Sequence, residues 1–358
     1  MVNLNYLTKC FSGKKVFVTG NTGFKGSWLA LVLHEIGADV MGFSLPPTGK
    51  SNHFNLLGLE KKITHVSGDI RDISLLKNTL GEFQPQFVFH LAAQALVRPS
   101  YDDPVTTFST NVLGSVNLLE AVRKCNSVRS LVYVTSDKCY ENVEWVYGYR
   151  ENDQLGGRDP YSASKAAAEV VFSSYLRSFF EHKPSLGAAS ARAGNVIGGG
   201  DWSVDRIIPD CIRAIQSDTP ILLRNPGATR PWQHVLEPIA GYMLLASKLY
   251  DEPKQWNGSW NFGPSTREIL TVQEVAELMI GYLGQGSIEI EQASEQAHEA
   301  NLLQLNCDKA QQLLGWQPKW DARQTIEATA FWYKDMMGGI SVGDISRKQI
   351  LSFFKEDA

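Results

Sequence analysis

A chain of 358 residues has room for two modest domains, or for one large domain with a lobe grafted on it. With 43% hydrophobic and 20% charged residues it carries ample material for a packed core, which argues against a disordered chain. The formal net charge of −4, with Lys and Arg spread along the chain, excludes a polybasic nucleic-acid tract and an acidic tail. Residues 1–10 lack the apolar stretch of a signal peptide, and no run is long enough to span a bilayer. The five cysteines (Cys10, Cys125, Cys139, Cys211 and Cys307) are odd in number and scattered, with no CxxC pair. No zinc site and no disulfide framework follow from them, and a cytoplasmic protein is expected, with no metal, membrane or nucleic-acid partner.

In chain order, Lys15-Val16-Phe17-Val18-Thr19 reads as a buried strand closed by Gly20. Residues 27–36 have helical spacing and stop at Gly37, a C-terminal cap signal. Residues 40–43 read as a second strand, and Val66-Ser67 as the end of a third. Residues 87–91 and 131–135 are two more, with a helical stretch at 111–124 between them, and 188–191 is a sixth. Strands apolar on both faces and separated by helices predict a parallel sheet covered on both sides, a doubly wound α/β fold of the Rossmann-like kind. After Arg192 the texture changes: Gly198-Gly199-Gly200 and Pro209, Pro220, Pro226, Pro231 and Pro238 break the alternation, before a helical stretch at 272–282. Residues 1–191 are therefore expected to form the dinucleotide-binding domain. Residues 192–358 are expected to form mainly a smaller substrate lobe over the sheet's C-terminal edge, with some segments returning to the first domain.

Gly20-Asn21-Thr22-Gly23-Phe24-Lys25-Gly26 joins the first strand to the first helix with GxxGxxG spacing. Glycine lets the backbone approach a pyrophosphate, and the helix N-terminus supplies free amides; the bland reading is an ordinary tight turn. Asp69, before Ile70, could accept from an adenine amino group or cap the helix before Leu75. The second strand ends Gly42-Phe43-Ser44-Leu45 with no acid for the adenosine ribose, so Ser44 is the candidate there, and the preference for NAD over NADP rests on less than the binding itself.

Tyr161-Ser162-Ala163-Ser164-Lys165 puts a phenol and an ammonium one helical turn apart. A phenol ionises near about pH 10, and a neighbouring ammonium favours the phenolate, making Tyr161 a usable base. Ser136, closing the strand at 131–135, offers a hydroxyl to orient a substrate alcohol. Alone, YxxxK is more often a solvated helix face; together with the glycine turn and Ser136 it is far more specific.

Gly20–Gly26, Leu91-Ala92-Ala93-Gln94, Ser136, Tyr161/Lys165 and Arg192-Ala193-Gly194-Asn195-Val196 together resemble the extended short-chain dehydrogenase/reductase family acting on nucleotide sugars, over nearly the whole chain. The resemblance implies that Ser136, Tyr161 and Lys165 oxidise the sugar's C4 hydroxyl with NAD. It also implies that Gly20, Thr22, Gly23, Phe24, Lys25, Gly26, Ser44, Asp69, Ile70, Leu91, Ala92 and Ala93, with Tyr161 and Lys165, hold the cofactor. Asp137-Lys138 after Ser136, with Gly198-Gly199-Gly200-Asp201-Trp202 and Arg230-Pro231-Trp232-Gln233-His234-Val235, is similar to the branch that dehydrates CDP-glucose. There Asp137 is the expected acid at C6 and Lys138 the expected base at C5, unless the two merely pair with each other. Gln94, Asn195, Arg206, Arg224 and Arg230 are the expected substrate contacts, Arg224 having a surface salt bridge as its alternative. His298-Glu299 departs from the family pattern, and its role is open. The resemblance further implies a homodimer or homotetramer. The competing readings are a C4 epimerase or a dehydratase for another nucleotide, and a non-catalytic dinucleotide-binding sensor.

Overall fold

The computed structural model describes residues 2–265, 269–291 and 302–355. Its centre is a seven-stranded sheet: β1 (Lys15–Thr19), β2 (Asp39–Ser44), β3 (Thr64–Ser67), β4 (Phe87–His90), β5 (Ser130–Val134), β6 (Gly187–Arg192) and β7 (Gly258–Asn261). The strand order is β7-β6-β5-β4-β1-β2-β3, and every pairing is parallel. The doubly wound sheet expected from the sequence is present, with the six strands read there displaced by a residue or two at their ends.

Alternation along each strand divides the core. Val16 and Val18 of β1, Phe87 and Phe89 of β4 and Val132 and Val134 of β5 enter one apolar cluster; Phe17, Val88, Leu131 and Tyr133 enter another on the opposite face. The first cluster holds α1 (Phe24–Glu35), buried all round from Gly26 to Leu33, and α6 (Leu236–Asp251). The second is covered by α2 (Ile73–Phe83), α3 (Gly114–Lys124) and α4 (Pro160–Tyr175). α5 (Ile207–Gln216) lies in the second half of the chain.

One helix start differs from the sequence-based reading, and one strand was not among those read. α1 begins at Phe24 rather than residue 27, because Gly23 itself is the N-cap, so the last glycine of the turn is already helical. β7 comes from beyond residue 192 and pairs with β6 from Gly258↔Ala189 to Asn261↔Arg192. The first cluster likewise runs from Leu7 to Phe354, so residues of both halves share it. Among the described residues no helix is long and apolar enough to cross a membrane.

The strand order reverses between β1's two neighbours, β4 and β2. The carboxyl ends of these strands border the crevice in which such sheets bind ligands. Gly20–Gly26, Ser44, Asp69, Leu91–Gln94, Ser136–Lys138 and Asn195 all lie at or just after the carboxyl ends of β1 to β6.

Candidate active site

The glycine turn is built for close approach. Gly20 is left-handed (φ +75°), and a Cβ there would lie 2.7 Å from the Ala92 amide nitrogen. At Gly26 a Cβ would lie 2.0 Å from the Gly20 carbonyl oxygen. Only hydrogen fits at either place, so α1 starts directly on the end of β1. Gly23 caps it without a side-chain acceptor, which suits the helix N-terminus to an anionic group such as a dinucleotide's pyrophosphate. The Leu91 and Ala92 amides both donate to Thr19 Oγ1 at 3.2 Å, pinning the loop that continues to Ala93.

Ser44 and Thr22 are drawn into the turn's own framework. The Ser44 hydroxyl donates to Asn21 Oδ1 at 3.0 Å and meets Thr22 Oγ1 at 2.9 Å, while Thr22 donates to the Leu45 carbonyl. Asp69 is not the cap of α2. That place is held by Asp72, whose carboxylate accepts the Ser74 and Leu75 amides. Asp69 instead takes the Arg71 guanidinium at 2.6 Å, which holds its carboxyl below the usual range, and Asn117 fixes the Ile70 carbonyl behind it.

On the other side of the crevice, Asp159 caps α4 and Pro160 opens it, so Tyr161 and Lys165 point from its first turns into the site, both nearly buried. Lys165 Nζ lies 6.0 Å from the centre of the Tyr161 ring. Burial pushes the Tyr161 phenol up to about 12, against the pull of the Ser136 hydroxyl and the Arg206 charge. Burial, aided by the charge of Lys25, brings the Lys165 ammonium down to about 8. Lys25, in the first turn of α1, is likewise brought to about 8 by burial and by Arg206.

Ser136 follows β5 and caps a single turn of 3-10 helix, Asp137–Cys139. Its hydroxyl donates to Asp137 Oδ1 at 2.9 Å and accepts the Lys138 amide at 3.3 Å. Asp137 is 3% exposed and lies against Gly194, where a Cβ would sit 1.8 Å from its Oδ2; the glycine is what gives the carboxylate room. Among the described residues no ion pair joins Lys138 to Asp137, so the mutual pairing weighed from sequence is not how either is held. Asp137, Gly194, Gln233, Gly263 and Leu305 line one cleft, so segments from both halves of the chain meet there.

The expected substrate contacts divide. Asn195 takes a left-handed backbone (φ 45°) one residue after Gly194. Arg206, at the N-cap of α5, pairs with buried Asp201 at 2.9 Å. Arg224 makes an ion pair with Asp205 at 2.7 Å, and Arg98 reaches the same carboxylate at 2.9 Å. Arg230 stands in a short strand pairing with Leu270. Gln94 is turned inward: its amide bonds the Leu96 backbone at both ends and Thr107, shaping the loop rather than facing the cleft. His298 and Glu299 lie outside the described residues.

The sequence offered Asp201 only as part of a motif, without a role, and gave no local signal for Arg98. Sequence reasoning missed Glu169, buried on α4 and paired with Arg192 at 2.7 Å. Its signal was an acid four residues beyond Lys165 in an otherwise small and apolar run.

The GDP-mannose 4,6-dehydratase family model matches residues 17–329. The chain is 44% identical to a CDP-glucose 4,6-dehydratase of Salmonella typhimurium, over 99% of this chain and 98% of that one. It is 28% identical to a dTDP-glucose 4,6-dehydratase of Streptomyces antibioticus, over 89% and 92% of the two chains. In structure it is similar to a Thermus thermophilus UDP-glucose 4-epimerase in complex with NAD, with a TM-score of 0.76 and 28% identity, over 88% of this chain and 98% of that one.

The Lys165 shift fixes the sign of a stability test. A lysine held near 8 instead of 10.5 binds its proton less tightly folded than unfolded, so its charge costs stability at pH 7. That cost fades as pH rises from about 8 to 10.5, where the unfolded chain alone still holds the proton. Lys165→Met is therefore expected to raise the thermal midpoint of the ligand-free protein at pH 7, with the gain shrinking across that window. A midpoint at or below wild type at pH 7, measured by calorimetry, contradicts the burial of a charge here.

Proposed function

Since the chain belongs to the GDP-mannose 4,6-dehydratase family and is an NAD-dependent nucleotide-sugar 4,6-dehydratase, a hydro-lyase, we propose that CDP-glucose is its substrate and CDP-4-keto-6-deoxyglucose its product. The observation that carries this reading is one turn of chain. Ser136, whose hydroxyl acts on Tyr161, also donates to Asp137, so the groups for oxidation and for elimination adjoin. An epimerase needs no acid and base beside that serine. A non-catalytic sensor needs none of the set. The 44% identity over nearly the full length supports cytidine as the nucleotide, and dideoxyhexose synthesis for O-antigen fits such a product.

Bound NAD would supply an acceptor for the hydride leaving C4 and, once reduced, a donor of hydride to C6. The glycine turn at Gly20, Gly23 and Gly26, with Thr22, Phe24, Lys25, Ser44, Asp69, Ile70 and Leu91–Ala93, is our proposed cradle for it. Tyr161 takes the proton of the C4 hydroxyl while Ser136 orients that hydroxyl; the Ser136 hydroxyl and the Arg206 charge favour the phenolate against burial, and Lys165 stands one helical turn away. The ketone at C4 acidifies C5. Lys138 removes the C5 proton as a neutral amine, Asp137 gives its proton to the C6 hydroxyl, and water leaves. Lys138 then returns its proton to C5, and the proton held by Tyr161 passes through the Ser136 hydroxyl to Asp137, restoring both groups. Asn195, Arg206 and Arg230 are the proposed donors to the sugar diphosphate, and Arg224 is the proposed contact to the base. The five cysteines are unpaired thiols, which supports a cytoplasmic location.

We also infer a homodimer or a pair of such dimers. Val105, Phe108 and Leu113, before α3, and Val170 and Phe179, on and after α4, are large apolar side chains left exposed on neighbouring helices. A second copy packed through these helices would cover them. Light scattering at micromolar concentration is expected to give a dimer mass or its double; a monomer overturns the inference.

Purified protein is expected to convert CDP-glucose to a 4-keto product much faster than dTDP-glucose. Equal or faster conversion of dTDP-glucose would falsify the nucleotide assignment. Tyr161→Phe should halt the reaction before any reduction of the nicotinamide. Asp137→Asn should still oxidise C4 but lose water roughly 10²–10⁴ times more slowly, the usual worth of a positioned acid. Near-normal water loss in that variant would move the acid elsewhere.

A further inference from the structure

Tyr161 and Lys165 stand on α4 and Ser136, Asp137 and Lys138 on the turn after β5, and one buried ion pair reaches both elements. Glu169 lies one helical turn beyond Lys165 on α4 and is 2% exposed. Its Oε1 takes the hydroxyl of Thr135, the residue before Ser136. Its Oε2 accepts from Arg192 Nη2 at 2.7 Å and from the Ser190 hydroxyl at 2.8 Å. Arg192, also 2% exposed, ends β6. Its Nη1 donates to the Tyr140 phenol oxygen at 2.7 Å, and Tyr140 is the residue that follows the Asp137–Cys139 turn. The guanidinium lies 4.9 Å from the Tyr140 ring centre, and the phenol hydroxyl donates to Asn261 Oδ1 at 2.8 Å.

Ser136 to Cys139 is thus gripped at both ends, through Thr135 by the carboxylate and through Tyr140 by the guanidinium. Burial alone would raise the Glu169 carboxyl. The charge and hydrogen bond of Arg192 outweigh burial and leave it below the usual carboxylate range, so both partners stay charged. Apolar residues of similar volume would bind the same elements at less cost in desolvation. What they could not do is fix a hydroxyl and a phenol by direction.

We propose that Glu169 and Arg192 are positioning residues: through Thr135 they set Ser136 against Tyr161, and through Tyr140 they set Asp137 and Lys138 against C5 and C6 of the sugar. The proposal rests on the dehydratase reading above. Each half of the reaction has its own anchor, so the halves can be disturbed separately.

The test is single turnover of the NAD-loaded enzyme with CDP-glucose, following nicotinamide absorbance for C4 oxidation and the 4-keto product for water loss. Thr135→Val removes one anchor and is expected to slow C4 oxidation by roughly tenfold or more, a modest share of what a misplacement of about 1 Å can cost. The later step should change little, and Thr135→Ser, which keeps the hydroxyl, should restore the oxidation rate. Tyr140→Phe should do the reverse, slowing water loss while oxidation stays near wild type. A role in stability alone would lower the thermal midpoint and the active fraction and slow both steps by one factor. That result, or wild-type rates for both steps in both variants, overturns the proposal. Should Tyr140→Phe not fold, the contrast of Thr135→Val with Thr135→Ser decides alone. The wild-type control separates the two readings. No 4-keto product from any nucleotide sugar counts against the dehydratase, whereas equal slowing of both steps in variants of an active enzyme counts against the anchors.

Discussion

A carboxylate and a guanidinium can be buried together only if their remaining hydrogen-bonding capacity is met, and meeting it dictates where the neighbours must be. Around Glu169 and Arg192 those neighbours are Thr135 after β5, Ser190 in β6, Tyr140 beyond the following turn and Ser259 in β7. Three adjacent strands and the helix that carries Tyr161 and Lys165 therefore share one point of attachment below the crevice. Arg192 Nε is the one atom of the pair left without a partner among the described residues. Above it, the site gathers two lysines and an arginine, Lys25, Lys165 and Arg206, near the carboxylates of Asp137 and Asp201. Burial without full compensation is what brings both lysines down towards neutrality.

Much of the sheet was legible because strands buried on both faces carry a strong local signal. Val16-Phe17-Val18 and Leu131-Val132-Tyr133-Val134 are apolar without interruption, and each residue finds one or other core. β7 was not legible, since Gly258-Ser259-Trp260-Asn261 has a single large apolar residue and pairs only because β6 offers it an edge. The pairings of Val196–Ile197 with Gln233–His234 and of Thr229–Arg230 with Leu270–Thr271 are two residues long, too short to carry any period.

In the site, the legible residues were those whose chemistry and spacing are local. Tyr161 and Lys165 share a helix face, and Ser136 and Asp137 are neighbours. The less legible ones depend on partners far along the chain. Gln94 and Ser44 look free as letters, yet the fold turns them inward to Thr107 and Asn21. Lys25 and Arg206 are separated by most of the sheet in sequence and by little in space, and nothing in either segment announces the other. Gly194 is only one letter of the Arg192–Val196 stretch in the sequence; in the fold it leaves room for the carboxyl of Asp137, in the turn after β5.

The crossing of β7 into the first sheet has a consequence for how the chain is made. During synthesis β1 to β6 emerge first, and the outer edge of β6, with the Ser190 and Arg192 backbone on it, waits unpaired until residues 258–261 follow. An open parallel edge is a template for a foreign strand, and a pairing this distant in sequence closes slowly. The nascent first half is thus most exposed to aggregation just before its last strand is delivered, and cutting the chain after β6 would make that vulnerable state permanent.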